Sequence, residues 1–370
     1  MTKSPLLSPL GLKPTTSSPY FVGPKVDFLL IGGLSLLLFF LLAPFSAERT
    51  GLVVFIAAVL TLFGNWPHFA ATNYRLYHSK ENVAQYPVTA LVIPLVILGA
   101  VIMAFAYPTT WAPLWIKLFL LWSPYHFSGQ SIGVSLIYAR RSGLGVGRLE
   151  RFALSSFIFA TFIYPTALSE TAGIPFAYFG IAVPRFGIPK MVPDLALLWM
   201  TFSGLLLLVL VIRWSVLSRK LFPMIVLLPA AAQVVWFVLG RNVAGYVEFV
   251  PFFHGLQYLL IAWAMQLKEK MDLGHIAPSK QFVVGESRRW YLGIGALGII
   301  LFWILPRLAL FLTGAPLLIV EPIIISAVQI HHFFVDGVIW KLKNPKVGSP
   351  LLVNLEEMAQ GQEVSTESSS

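Results

Sequence analysis

Seven histidines are spread along the 370 residues, and five of them stand inside long apolar stretches. His68 lies in GNWPHFAATNYRLY, His126 in WSPYHFSGQSIG, His254 in VPFFHGLQYLLIAW, and His331 with His332 in QIHHFFVDGVIW. An imidazole can bond a neighbouring helix, carry a proton or ligate a metal. At bilayer depth ionisable groups are expensive, and their default reading is functional. Each of these histidines has polar company at helical spacing. Asn65 and Thr72 flank His68, Gln130 follows His126 by four residues, and Gln257 and Tyr258 follow His254 by three and four. Gln329 precedes His332 by three and Asp336 follows it by four, which puts all three on one helix face. A ligating imidazole hands its second N–H to a carboxylate, amide or carbonyl. Asn65, Gln130, Gln257 and Gln329 are therefore expected to orient ligands.

The candidate metal ligands are His68, His126, His254, His331, His332 and Asp336. Asp336 also counts as a catalytic candidate, with Glu248, six residues ahead of His254, and Tyr258. Adjacent helical residues point about 100° apart, so His331 and His332 are not expected to share one ion; His332 is preferred because it faces the same way as Gln329 and Asp336. The chain has no cysteine, which removes disulfides, thiolate metal sites, Cys-ligated clusters and covalent c-type haem from consideration. Imidazole and carboxylate without sulfur suit mononuclear or dinuclear non-haem iron, and also zinc, manganese or copper. Two other readings use the same residues: a haem-binding membrane cytochrome with paired axial histidines, or a transporter with a histidine-lined site near the midplane.

These residues need long apolar elements to carry them, and the composition supplies these. Hydrophobic residues make up 57% of the chain and charged residues 11%, where soluble domains carry about 25% charged. An all-α integral membrane protein is expected. About twenty apolar residues span a bilayer, and the sequence offers ten such stretches: 27–46, 51–74, 87–107, 111–139, 152–169, 194–213, 222–240, 245–267, 290–312 and 316–341. The intramembrane histidines fall on the second, fourth, eighth and tenth. Pro165 and Pro306 interrupt the fifth and ninth, and the Gly-, Pro- and aromatic-rich stretch between the fifth and sixth reads as an interfacial or re-entrant loop.

With the N-terminus placed inside, twenty Lys and Arg fall on the cytoplasmic side and five outside, so both termini are expected to be cytoplasmic. In that frame the four histidine-bearing spans all run inward, and His68, His126, His254 and His332 lie roughly 10 to 21 Å from the inner edge at 1.5 Å per residue. Four helices presenting imidazoles in one layer is what a metal site in a bundle core requires. The formal charge of +10 sits in short loops beside spans, where it meets anionic lipid rather than nucleic acid. The expected organisation is a tail at 1–26 without a cleavable signal, one membrane domain at 27–343, and a polar, disordered tail at 344–370. The expected location is a cell membrane, most naturally a bacterial inner membrane.

Intramembrane histidines scattered singly, without cysteine, resemble the histidine-rich integral-membrane iron enzymes. The nearest are the membrane β-carotene-cleaving dioxygenases, whose ligands are also spread singly over several spans. The resemblance rests on His68, His126, His254, His331 and His332 and covers no continuous stretch; the HxxxH and HxxHH boxes of acyl desaturases and membrane alkane hydroxylases are absent. It implies an oxygenase, hydroxylase or desaturase acting on a lipid, fatty acyl chain or isoprenoid. Membrane lipids, a hydrophobic small-molecule substrate and an electron-donor protein are the partners to expect.

Overall fold

The computed structural model describes residues 18–45, 47–340 and 353–361. It is almost entirely helical. In chain order the long elements are α1 (Pro24–Leu42), α2 (Thr50–Tyr77), α3 (Val88–Ala106), α4 (Trp111–Arg141), α5 (Arg148–Glu170), α6 (Met191–Ser218), α7 (Leu228–Gln233, running on into Val234–Leu239), α8 (Tyr246–Gly274), α9 (Lys280–Thr313) and α10 (Leu317–Ile339). Eight of the ten are long and apolar enough to cross a membrane. The exceptions are α4, whose 31 residues include Lys117, Ser123, His126, Ser128, Gln130, Ser131 and Ser135, and α7, which is short and irregular. Helical segments thus lie at all ten positions, of which eight qualify by length and composition.

Two prolines expected to interrupt spans do not. Pro165 lies within continuous α5. Pro306 follows a π-turn at Ile300–Ile304. Proline removes an N–H and crowds the carbonyl four residues back, here Phe302, and the wider π-turn places the misfit inside the helix instead of ending it. Pro94 stands in the same relation to the π-turn Val88–Val92. The loop between α5 and α6 folds as an antiparallel hairpin, β1 (Phe176–Tyr178) with β2 (Ile181–Val183). Alternating Phe-x-Tyr and Ile-x-Val turn one face inward, burying Ile181 and Val183, and Gly180 N–H donates to Leu318 O at 3.3 Å.

Burial is uneven among the helices. In their most apolar windows, 72% of α8 and 61% of α10 is buried, against 11% of α6. Phe40, Phe55, Leu95, Phe202 and Phe311 stand exposed on outer faces, which a bilayer would cover and water would not tolerate as one continuous belt. The histidine-bearing helices α2, α4, α8 and α10 pack against one another inside that belt.

Close backbone approach sets their spacing. A Cβ on Gly255 of α8 would lie 2.6 Å from Gly64 O, and one on Gly64 of α2 would lie 2.5 Å from the Phe252 ring. α2 bends at Gly64, and His68 follows one turn later. α4 is tied to α7 by Ser128 and Ser131 through the two ends of the Gln233 amide, at 3.2 and 2.8 Å. It is tied to α10 by Trp115 Nε1 donating to Ile323 O at 3.2 Å.

Among the described residues, the segments 18–27 and 353–361 meet at Arg141. Asp27 accepts from the backbone N–H groups of Phe21, Val22 and Gly23 and from the Tyr138 hydroxyl. Buried Arg141 donates to the carbonyls of Pro19, Tyr20 and Val353. Asn354 caps a short helix, Leu355–Ala359, through the N–H groups of Glu356 and Glu357. Within the tail expected at 344–370, Val353, Leu355 and Met358 are buried and present an apolar face to the bundle; the remainder of that tail, and 1–17, lie outside the described residues. Arg141→Met should loosen both segments together. Leaving several buried carbonyls without a charged donor costs on the order of 3 kcal/mol, seen as a lower melting temperature and faster trypsin cleavage near both termini.

Candidate metal centre

His68 from α2, His126 from α4, His254 from α8 and His332 from α10 converge, each offering a ring nitrogen within 4.8 Å of the other three. Neighbouring ring centroids are 4.4 to 5.0 Å apart. His126 Nε2 and His332 Nε2 stand 3.1 Å apart, close to the spacing of two nitrogens on one ion with bonds of about 2.1 Å. The side chains are buried, and both nitrogens of His68 and of His254, with Nδ1 of His332, have no hydrogen-bond partner. Buried imidazole nitrogens without partners cost stability unless something satisfies them. Four converging imidazoles, three of them with unpartnered nitrogens, are a donor set that fits a transition-metal ion.

Asp336 completes the cluster on one side. Its Oδ2 lies 3.2 Å from His332 Nε2 and 3.6 Å from His126 Nε2. Its Oδ1 accepts from Thr72 Oγ1 and Trp340 Nε1, both at 3.1 Å. One carboxylate oxygen is thus held by the protein and the other is turned to the imidazoles. Thr72 Oγ1 also lies 2.6 Å from the Tyr258 hydroxyl, and the Tyr258 ring packs on His68 at 4.4 Å. Thr72 joins two candidate catalytic groups from different helices.

Of the four amides expected near the ligands, two meet. Gln130 Nε2 donates to His254 O at 3.0 Å and to Gln257 Oε1 at 3.3 Å, and Gln257 donates on to Ile31 O. This chain fixes the backbone that carries His254 rather than bonding the ring. Asn65 is buried with its Oδ1 unpartnered. Gln329 is half-buried and makes none of the hydrogen bonds around the cluster.

Two candidates fall elsewhere. His331 is not in the cluster: its Nε2 lies 3.1 Å from the Tyr77 hydroxyl and its ring stacks on Tyr77, as the 100° step from His332 requires. Glu248 sits exposed on the turn Tyr246–Phe249 that opens α8. Six residues span nearly two turns, so it lies far along the axis from His254. Its neighbour there is Tyr178 of the hairpin, whose phenol is pushed up to about 12 by burial and then by the Glu248 charge.

A feature not anticipated is an aromatic packing ring. Phe69 packs on His332 at 4.4 Å, Phe127 on His254 at 4.2 Å and Phe333 on His126 at 4.7 Å. Each Phe directly follows a clustered histidine and covers the ring of one from a different helix. The recurring His-Phe dipeptide was visible in the sequence; its meaning depends on which helices are neighbours.

Beside the cluster lies a cavity of about 300 Å³, walled by Trp122, Phe333, Tyr258 and Trp340 among others, with His126 and Asp336 on its lining. That is the small end of ligand-pocket volumes. Comparison with protein families, with curated proteins and with solved structures finds no match to this chain. Its function is therefore read from its own residues and their arrangement.

Proposed function

We propose that this chain is a membrane-embedded, metal-dependent oxidoreductase, an oxygenase, hydroxylase or desaturase in type, acting on a hydrophobic substrate such as a lipid, fatty acyl chain or isoprenoid. The observation that carries the reading is the convergence of four buried histidines from four helices, with ring nitrogens of His68, His254 and His332 left unpartnered. His68, His126, His254 and His332 would hold the ion, and Asp336 Oδ2 would bind it or offset its charge, which is costly to leave uncompensated away from water. Iron so held, with a coordination position open, supplies dioxygen activation toward C–H or C=C bonds; zinc, manganese or copper suit the same donors. The close packing of the rings favours a bare ion over a haem, because no macrocycle fits between imidazoles whose centroids are 4.4 to 5.0 Å apart.

The remaining residues position and exclude. Thr72 and Trp340 hold Asp336 in one rotamer, and Tyr258 stands by hydrogen bond to Thr72 where it can pass a proton between the carboxylate side and the cavity. Phe69, Phe127 and Phe333 cover the imidazoles and keep water from them. A substrate already dissolved in the bilayer would enter sideways, and a separate electron donor would serve the cytoplasmic face if the reaction consumes electrons.

Elemental analysis and a visible spectrum of protein purified without chelator test this reading. Near-stoichiometric iron, manganese, copper or zinc without a Soret band is the expected result. A Soret band would move the histidines to haem, and metal-free protein that takes up none of these ions would overturn the proposal.

A further inference from the structure

The glycines fall into two groups. At Gly32, Gly64, Gly255 and Gly298 an added Cβ would meet neighbouring atoms at 3.1 Å or less, so packing accounts for them. At Gly129 and Gly133 on α4 and Gly337 on α10 an added Cβ meets nothing within 4 Å, and none has a positive φ. Neither close packing nor backbone conformation demands glycine there, and inside a helix glycine is the least favourable residue after proline. All three line the cavity beside His126 and Asp336. Gly129 and Gly133 are one turn apart on one face, and Gly337 directly follows Asp336. Other glycines with open surroundings, such as Gly99 and Gly293, line none of the cavities beside the cluster. Two independent observations coincide: helix-weakening residues that packing does not explain, and a cavity reaching buried His126 and Asp336, whose side chains are only 8% and 9% exposed.

We infer that Gly129, Gly133 and Gly337 are specificity-determining residues, absent side chains that hold open a corridor along α4 and set the girth of the molecule that reaches the histidine cluster. The occupant is a slender, predominantly apolar chain. Trp122, Val134, Ile137, Ile261 and Phe333 make the rest of the lining largely apolar, and His126, Gln130 and Asp336 supply its polar groups. The inference deepens the proposed function by naming what limits its substrate, and its test separates the two.

The probe is bromododecane added to the protein in lipid nanodiscs, read by quenching of tryptophan fluorescence, with bound metal measured on the same samples. Wild type should show a saturable quenching component that Trp122→Phe weakens, the remainder coming from Trp340 on the same lining. Gly133→Ala should retain it, Gly133→Val should weaken it several-fold, and Gly133→Phe should abolish it while metal content stays unchanged. Gly293→Phe should behave as wild type. Saturable quenching that survives Gly133→Phe with metal retained would overturn the corridor, as would the absence of any Trp122-dependent component. A metal-free wild type that still shows the component and loses it with Gly133→Phe would sink the metal reading and leave the corridor standing. Should Gly133→Phe fail to fold, Gly129→Phe and Gly337→Phe carry the same expectations from two different helices.

Discussion

Gly255→Ala is expected to lower bound metal at least tenfold, although Gly255 donates nothing to an ion. Its position leaves a side chain no room: the new Cβ would stand 2.6 Å from Gly64 O, 2.8 Å from Gly64 C and 3.1 Å from Asn65 N. All three are backbone atoms of α2, so no rotamer change relieves the clash and the two helices must part. Overpacking of a well-packed interface costs about 1–3 kcal/mol, and here the strain falls where His254 and His68 face each other at 4.8 Å. A separation of even half an ångström is large against the tolerance of about 0.2 Å in metal–ligand distances. Gly64→Ala should be milder, because its 2.5 Å contact is with a side chain, the Phe252 ring, rather than with backbone, although a carbonyl lies at 3.2 Å. Metal content by plasma mass spectrometry and melting temperature decide the matter. Loss of metal with the bundle still folded is the expected result; full occupancy in Gly255→Ala would show that the helix approach does not govern the site.

That prediction rests on something the sequence did not display. Glycine at 64 and 255 reads as unremarkable in two apolar segments, and only the three-dimensional pairing of α2 with α8 reveals that each fills the other's groove. By contrast, the helical segments were legible from runs of apolar residues, and the four clustered histidines from their placement, one per helix, at similar distances from the next basic residue. Asp336 was legible too, being four residues from His332 on the same face. What periodicity cannot express is which face meets which neighbour. Glu248 looked close to His254 by residue count, yet six helical residues carry it about 9 Å along the axis to an exposed turn. Tyr77, which bonds His331, and Trp340, which holds Asp336, carry nothing in the sequence that names these partners. The segment at 353–361 read as polar because its four anchoring residues, Val353, Asn354, Leu355 and Met358, are diluted among glutamates and glutamines.

The adjacent pair His331 and His332 gives the sharpest separation of a proposed ligand from a neighbour of identical chemistry. His332→Ala should reduce bound metal by at least tenfold, since it removes the nitrogen 3.1 Å from His126 Nε2 and leaves Asp336 Oδ2, now 3.6 Å from its only remaining imidazole, without its nearer partner. Phe69 would also lose the ring it packs against, so a new cavity forms at that contact. His331→Ala removes one hydrogen bond to Tyr77 and a stacked ring at the half-buried edge of α10, and metal content should stay within error of wild type. A cavity at 332 could lower stability by itself, so His332→Gln, which keeps most of the volume and one ligating oxygen, belongs in the series. Partial metal retention in His332→Gln with near-native melting temperature would assign the loss in His332→Ala to the missing ligand. Equal metal contents in His331→Ala and His332→Ala would mean that position on the helix face does not decide which imidazole binds, and the four-histidine centre would have to be given up.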